Sequence, residues 1–504
     1  MPKEERLNWD FYSLALISLY AILQLLRWPI LPQFMDIYYH ILTAWGFIQS
    51  GGYVGWDFWQ YAPVGRVHIY PPFFHILFAL LMKCGVSVII LAKFFETFTP
   101  LLFLFTLWVF LKKNYHARLA FFAVLLFGSS FSFYASLINH IPATLAAIFG
   151  LLAIDQFLRR RIVSSTVLLS LSFYTHIGLP WVFALAIFFY GLMDKEKRGD
   201  SLWLLFYSLI LSAPVFFKEL NGLKYIKTLG FSLQENNNIR LKIAEYILAT
   251  LGLFLVYKKR REYRLFFSFL LGSLLLLFYP YRFFSGEGYL AIILLGSIAL
   301  SELFNLLTDR LKWPVYAVLS MLIIFELFSP ALVKDKTNEV SRAGYRLCIF
   351  DSLSSKILFT KWDSMWFAKE YAQATEIIKK NSDSADIIYS TLNPAGMGLA
   401  AISGRATANA LFVEIGPARE FDPFAVSKII VFPADEEKGA LEELVRKYNL
   451  EKISQTQAFI LYKNPGPSLK VKVERACVPL VFIVIFILAA GIILVKNRRK
   501  IYLT

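Results

Sequence analysis

The chain has 504 residues, of which 57% are hydrophobic, 17% aromatic and only 17% charged. That balance excludes an ordinary soluble enzyme, a disordered chain and a disulfide-stapled one, because bilayer-length apolar runs recur from Leu14 to Ala331 and again from Val478 to Val495. The formal net charge of +16 would suggest a nucleic-acid partner in a soluble protein; here the basic residues sit in short loops between apolar spans, the pattern of membrane orientation, and no nucleic acid is expected.

The N-terminus, MPKEERLNWDF, enters an apolar segment without a small-residue cleavage site, so a retained first span is expected. About 12 transmembrane helices follow from hydropathy, at roughly 11–27, 87–111, 119–135, 141–158, 162–177, 179–193, 201–217, 242–257, 265–279, 289–307, 313–331 and 475–495. Placing both termini in the cytoplasm puts Lys112 to Arg118, Arg159 to Arg161, Lys195 to Arg198, Lys258 to Arg264, Arg310 to Lys312 and Lys496 to Lys500 all on the inner side.

Segment 71–85, PPFFHILFALLMKCG, opens with two prolines and is short for a crossing. If it crossed, the next basic clusters would be translocated, so it is expected to lie in the outer interface. The stretch 28–86 then becomes a large first external loop with a second interfacial helix at about 36–50. The chain thus divides into a membrane module (1–331), a polar extracytoplasmic α/β domain (332–474) and a final span with a basic tail (475–504). Helical patterns at 363–380 and 435–449 in the second of these alternate with strand-like runs at 385–391, 428–433 and 457–463. The stretch 221–240 reads as an external loop.

The first loop concentrates polar and aromatic groups. Asp36 stands at the start of its first helix with Tyr39 and His40 one turn on, so the three can share a face. A carboxylate near the hydrocarbon boundary is costly and invites a functional role; a helix cap is the alternative. Asp57 fits a turn, while Arg66 and His68 precede the prolines, and His68 and His75 are candidate metal ligands without HExxH spacing. Further polar groups fall at outer span ends: Asn139 and His140, His176, and Arg282 with Glu287 in YPYRFFSGEGYL. An external arginine there needs a partner, either Glu287 or a lipid phosphate. Asp36, the histidines and Arg282 gathered at one face suggest a site for an amphiphilic anionic substrate.

A transporter of lipid-linked or small amphiphilic substrates would place its charges near the midplane, and Glu96 and Asp155, the main acids inside spans, define no relay. A scaffold acting through 332–474 is a third reading. Three cysteines, Cys84, Cys348 and Cys477, form no CxxC pair and define no metal site. The run Gly396 to Ala401 matches GxGxxA, but a glycine-rich strand-to-helix turn accounts for it as well as a dinucleotide does. No Walker A or GxSxG sequence occurs.

Taken together, MDIYYH after the first span, GWDFWQYAPVGR, and IYPPFFH opening an interfacial helix resemble the archaeal oligosaccharyltransferase-like branch of the GT-C membrane glycosyltransferases. That resemblance implies transfer, with inversion, of a sugar from a polyprenyl-phosphate (dolichyl-phosphate) donor to a lipid, glycan or protein acceptor on the extracytoplasmic face of the cell membrane. It assigns Asp36 as catalytic acid or base and metal ligand, with Mg²⁺ or Mn²⁺ as the cofactor. Asn139 and His140 stand where relatives carry a second acid. Arg282, Glu287 and His140 are then donor-phosphate contacts, and His40, Asn139, Arg66 and His68 substrate contacts. The sequon-reading motif of the protein-glycosylating subunits survives only as Trp362-Asp363 in KWDSMW, a departure that bears on the acceptor.

Overall fold

The computed structural model describes residues 8–26, 28–32, 36–130, 141–226, 240–241, 243–259, 261–284, 286–308, 332–334, 340–342, 368–411, 415–466 and 469–479. Asn139, His140, KWDSMW and the expected span 313–331 lie outside them.

The described chain is mostly helical. The bundle comprises α1 (Trp9–Leu26), α4 (Val88–Asn114), α5 (Ala117–Ser129), α6 (Ile141–Leu158), α7 (Ile162–Thr175), α8 (Leu179–Met193), α9 (Arg198–Leu223), α10 (Ile243–Lys258), α11 (Arg264–Ser273) and α12 (Tyr289–Thr308), with α2 (Asp36–Ser50) and α3 (Phe73–Lys83) between α1 and α4. Five helical stretches, Trp9–Leu26, Val88–Asn114, Ile141–Leu158, Lys195–Leu223 and Pro280–Leu306, are long and apolar enough to cross a membrane by length and composition. Two expected spans depart from continuous α-helix. The span expected at 265–279 is α-helical only to Ser273 and tightens to a 3₁₀ helix over Leu274–Phe278. The last expected span, 475–495, begins extended, because Val478–Pro479 pairs with Gly52–Tyr53; its remainder lies outside the described residues.

Apolar side chains all round these helices bury one continuous core, in which Trp9 of α1 packs edge-on to Phe304 of α12 at 4.9 Å between ring centroids. The basic turns converge at one end of the bundle. Asp10 pairs with Lys112 at 2.7 Å, Asp155 with Lys113 at 3.3 Å and Arg159 at 3.1 Å, Lys259 with Glu302 at 2.8 Å, and Arg264 with Asp194 at 2.5 Å. Loops that the charge argument assigned to one side are therefore neighbours in space.

Opposite that end stands a five-stranded sheet. Its strands are β4 (Ile387–Ser390), β5 (Ala406–Thr407), β6 (Ile429–Pro433), β7 (Glu451–Gln455) and β8 (Phe459–Lys463), in the order β7-β8-β6-β4-β5. β4 runs parallel to both neighbours, and β8 is antiparallel to both of its own. Helices α13 (Ala368–Asn381), α14 (Asn393–Ser403) and α15 (Lys438–Tyr448) complete the α/β layers. The first loop adds to this sheet. That loop carries three short strands, β1 (Gly52–Tyr53), β2 (Trp56–Asp57) and β3 (Arg66–Val67), and the segment between β2 and β3 lies along β5. Thr407 N–H donates to Trp59 O at 2.9 Å and Ala62 N–H to Thr407 O at 3.0 Å. α2 and α3 share one apolar core with Tyr371, Ile388, Leu399 and Leu461. Covering an edge strand in this way removes its unpaired backbone groups from solvent.

The GxGxxA run lies on α14 and is a packing device. A Cβ on Gly396 would stand 2.6 Å from the Asn409 side chain, and one on Gly398 would stand 2.7 Å from the Tyr371 ring. Gly404 then ends the helix at φ 69°, a left-handed cap suited to glycine, directly against the Trp45 ring of α2.

Candidate functional site

The site is assembled where α2, the chain between β3 and α3, and the turn before α12 meet. Asp36 opens α2 and is 7% exposed. Tyr39 and His40 follow one turn on, with their rings 4.9 Å apart. The residue that joins them to the rest is Tyr70, which sequence reasoning did not single out. Its ring lies 6.0 Å from Tyr39, 5.1 Å from His40, 5.8 Å from His75 and 6.0 Å from His176. Burial pushes the Tyr70 phenol well above its usual range; Asp36 and Tyr39 raise it further, Arg282 lowers it and Glu287 raises it. One phenol therefore feels both the acid of α2 and the ion pair of the late turn, which puts these groups at the same end of the bundle.

That ion pair is Arg282 Nη1 to Glu287 Oε1 at 2.9 Å, with Glu287 4% exposed. A single helical turn, Pro280–Phe284, carries the arginine, and Gly288 N–H donates back to Arg282 O at 2.9 Å, which folds the glutamate over the guanidinium. His176 caps α8: its Nδ1 accepts from Gly178 N–H at 3.2 Å and Leu179 N–H at 3.1 Å. Its Nε2 faces Glu287 at 3.7 Å. A histidine cap thus ties a third span end to the pair.

Behind Asp36 lies a buried histidine cluster. His40 Nδ1 and His75 Nε2 are 2.7 Å apart, His68 Nδ1 lies 3.3 Å from Val54 O, and the His68 and His75 rings are 5.1 Å apart. Among the described residues, His68 Nε2 and His75 Nδ1 have no hydrogen-bond partner. Lys218, near the end of α9, donates to Tyr70 O at 2.6 Å and stands 5.0 Å over the Tyr53 ring. Burial, with Lys218 nearby, holds both the His68 and His75 imidazoles well below their usual range, so both are neutral. The folded state then binds fewer protons than the unfolded chain below about pH 6.5, and stability falls with acidification at up to about 1.4 kcal/mol per pH unit for each histidine. Thermal denaturation in lipid nanodiscs between pH 7.5 and 5.5 should show this loss, with a shallower slope for His75→Gln. Equal slopes for the two proteins would dismiss the effect.

The structure separates the remaining expected contacts. Arg66 is 3% exposed and committed to architecture: its Nη1 donates to Leu411 O and, at 3.1 Å, to Ile415 O, and its Nε faces Asp57 Oδ2 at 3.6 Å. Asp57, expected as a turn residue, lies on β2 and is 4% exposed in that pair. Burial raises the Asp57 carboxyl, and the Arg66 guanidinium opposes the rise. His68 is sealed within the cluster described above. Arg66 and His68 therefore sit among protein groups, where the sequence reading expected substrate contacts. Asn139 and His140 lie outside the described residues, so the site's second loop is not part of this geometry. Among the described residues no group of three His, Cys, Asp or Glu side chains could hold a metal ion, and Glu287 is held by Arg282. The described residues do not fit a divalent cation at Asp36.

No protein-family model and no curated protein matches the chain. Solved structures do. The oligosaccharyltransferase of Archaeoglobus fulgidus, in a complex with zinc and sulfate, superposes with a TM-score of 0.54 at 13% identity, over 91% of this chain and 74% of that one. Archaeal oligosaccharyltransferase AglB from the same organism, in complex with an inhibitory peptide and a dolichol-phosphate, gives 0.53 at 12% identity over 90% and 74%. ArnT from Cupriavidus metallidurans bound to undecaprenyl phosphate gives 0.51 at 12% identity over 90% and 99%. At such identities the likeness is one of fold, and the chain has the fold of the GT-C membrane glycosyltransferases.

Proposed function

We propose that this chain is an integral membrane glycosyltransferase that moves a sugar, with inversion, from a polyprenyl-phosphate-linked donor to an acceptor. The observation that carries the reading is the convergence of Asp36 and the Arg282–Glu287 pair on Tyr70 at one end of a bundle with this fold. Arg282 binds the donor phosphate, and Glu287 holds the guanidinium fork in place. Asp36 takes the proton of the acceptor O–H or N–H as the acceptor atom bonds to the anomeric carbon. The bond from that carbon to the phosphate oxygen breaks, and the added negative charge on the departing polyprenyl phosphate is met by Arg282. The neighbours supply the chemical precedent: their solved complexes hold a dolichol-phosphate, undecaprenyl phosphate and an acceptor peptide with an NVT sequon.

The orientation that suits this reading puts the basic turns in the cytoplasm and the sheet outside. A transporter is not favoured. Among the described residues, the Asp, Glu, Lys and Arg side chains of the long helices lie within about three turns of a helix end.

The test is transfer by the purified chain in nanodiscs, supplied with labelled dolichyl- and undecaprenyl-phosphate sugars and a panel of sequon peptide, glycan and glycolipid acceptors. Labelled product is the expected result; no product with any donor and acceptor refutes the reading. Within it, Arg282→Ala removes a charge-assisted contact to phosphate and should lower kcat/KM by roughly 10- to 100-fold. Unchanged kcat/KM in that variant takes the phosphate away from Arg282.

A further inference from the structure

At the basic end of the bundle, far from Asp36, the ends of α8, α10 and α11 enclose a cleft of about 430 Å³ lined by Met193, Val256, Tyr257, Arg261, Arg264 and Phe267. Its composition is amphiphilic: four apolar or aromatic walls and two guanidiniums. Tyr257 is 64% exposed and Met193 38% exposed, so the cleft opens sideways from the bundle toward what surrounds it. Arg264 is anchored by Asp194 at 2.5 Å and lies 5.6 Å over the Tyr190 ring, which fixes its place in the wall. Arg261 is exposed and makes no ion pair among the described residues. Arg264 is also the first residue of α11, so the positive end of that helix dipole faces the same space.

We infer that this cleft is a binding site for an anionic phospholipid of the leaflet at the basic end, its phosphate held by Arg261 and Arg264 and its glycerol and acyl stems laid on Met193, Val256, Tyr257 and Phe267. Charge and shape select this occupant. A guanidinium that stays exposed at a membrane face while its partner wall is apolar matches a molecule with an anionic head and hydrocarbon tails, and a cleft of this size is within the range that holds a small amphiphile. It is separate from the proposed donor site. From Arg264 to Phe278 the chain rises through ten α-helical and five 3₁₀ residues, roughly 20 Å or more at about 1.5 to 2.0 Å per residue, before it reaches the turn that carries Arg282. The zwitterionic lipids of the same leaflet gain less, because their own ammonium group competes with the arginines for the phosphate.

The test uses the full chain, delipidated in detergent and titrated with phosphatidylglycerol or phosphatidylcholine, with bound lipid counted by native mass spectrometry. Phosphatidylglycerol should be retained preferentially, and Arg261→Ala should weaken its retention by about fivefold, the share of one interfacial cation. Arg261→Glu should weaken it further. Arg160→Ala, which removes a basic residue of the same end that pairs with Glu196 outside the cleft, should leave it unchanged. Because Arg261 and Arg160 are exposed, the variants should fold, and thermal denaturation confirms that they do. Equal retention of the two lipids, retention unaffected by Arg261→Ala, or an equal loss with Arg160→Ala would each overturn the site, the last by assigning binding to the basic surface at large.

Discussion

Asp36→Asn is expected to abolish sugar transfer, lowering kcat by about 10² to 10⁴, while the protein still folds and still binds its donor. The substitution keeps the volume of the side chain and its place at the start of α2 and removes only the capacity to take a proton. Asparagine also serves at helix N-termini, so a loss of activity through lost capping is small beside the catalytic effect. Arg282 and Glu287 reach the site from a different part of the chain, so donor affinity should survive in Asp36→Asn, and KM should change less than kcat. The measurement is steady-state transfer in nanodiscs alongside binding of the labelled donor. Activity within tenfold of the parent would remove Asp36 from the chemistry. Loss of donor binding together with activity would make it a structural residue of α2.

Much of the architecture was legible in the sequence, and for a definite reason: spans are fixed by apolar length, and their direction by the placement of lysine and arginine. The basic turns around Lys112, Arg159, Asp194 and Arg264 meet at one end as that argument requires. The two helices expected at 36–50 and within 71–85 were legible as well, and the structure forms them at Asp36–Ser50 and Phe73–Lys83. What hydropathy does not encode is the pairing of distant segments. Nothing local in the run Trp59 to Ala62 tells of its hydrogen bonds to Thr407, nor does Trp45 announce that its indole donates to Ala401 O at 2.9 Å. The α/β domain and the first loop consequently read as separate features and prove to share a core.

The site followed the same division. Asp36, Arg282 and Glu287 stood out because a charge at a membrane boundary is expensive, and each was found buried or paired. Tyr70 did not stand out, because a tyrosine at a membrane interface is ordinary; its importance lies in what surrounds it, and composition carries no trace of that. His75 had a signal that sequence reading undervalued. Three histidines fall within 36 residues of a chain that has only six, and the structure draws His40, His68 and His75 together.

Asp57→Ala is expected to loosen the first loop from the sheet, at a cost of about 3 to 5 kcal/mol, since it leaves the Arg66 guanidinium buried without its carboxylate. The pair is more than a surface bridge. Gln60 Nε2 donates to Asp57 Oδ2 at 2.9 Å, Arg66 donates to Gln60 Oε1 at 3.3 Å, and the same guanidinium reaches the carbonyls of Leu411 and Ile415. This network ties the β2–β3 hairpin to the chain that follows β5, so its loss should appear in the thermal midpoint and as faster proteolysis between residues 57 and 66. A double variant, Asp57→Ala with Arg66→Met, removes both charges and replaces the long stem with one of similar length. It should recover much of the stability lost by the single change, because a buried pair taken out together costs far less than one charge left alone. Recovery would identify the uncompensated arginine as the source of the damage. Additive losses would instead assign it to the hydrogen bonds that Arg66 makes to Leu411 and Ile415, and a single-variant loss below about 1 kcal/mol would reduce the pair to the worth of an exposed bridge.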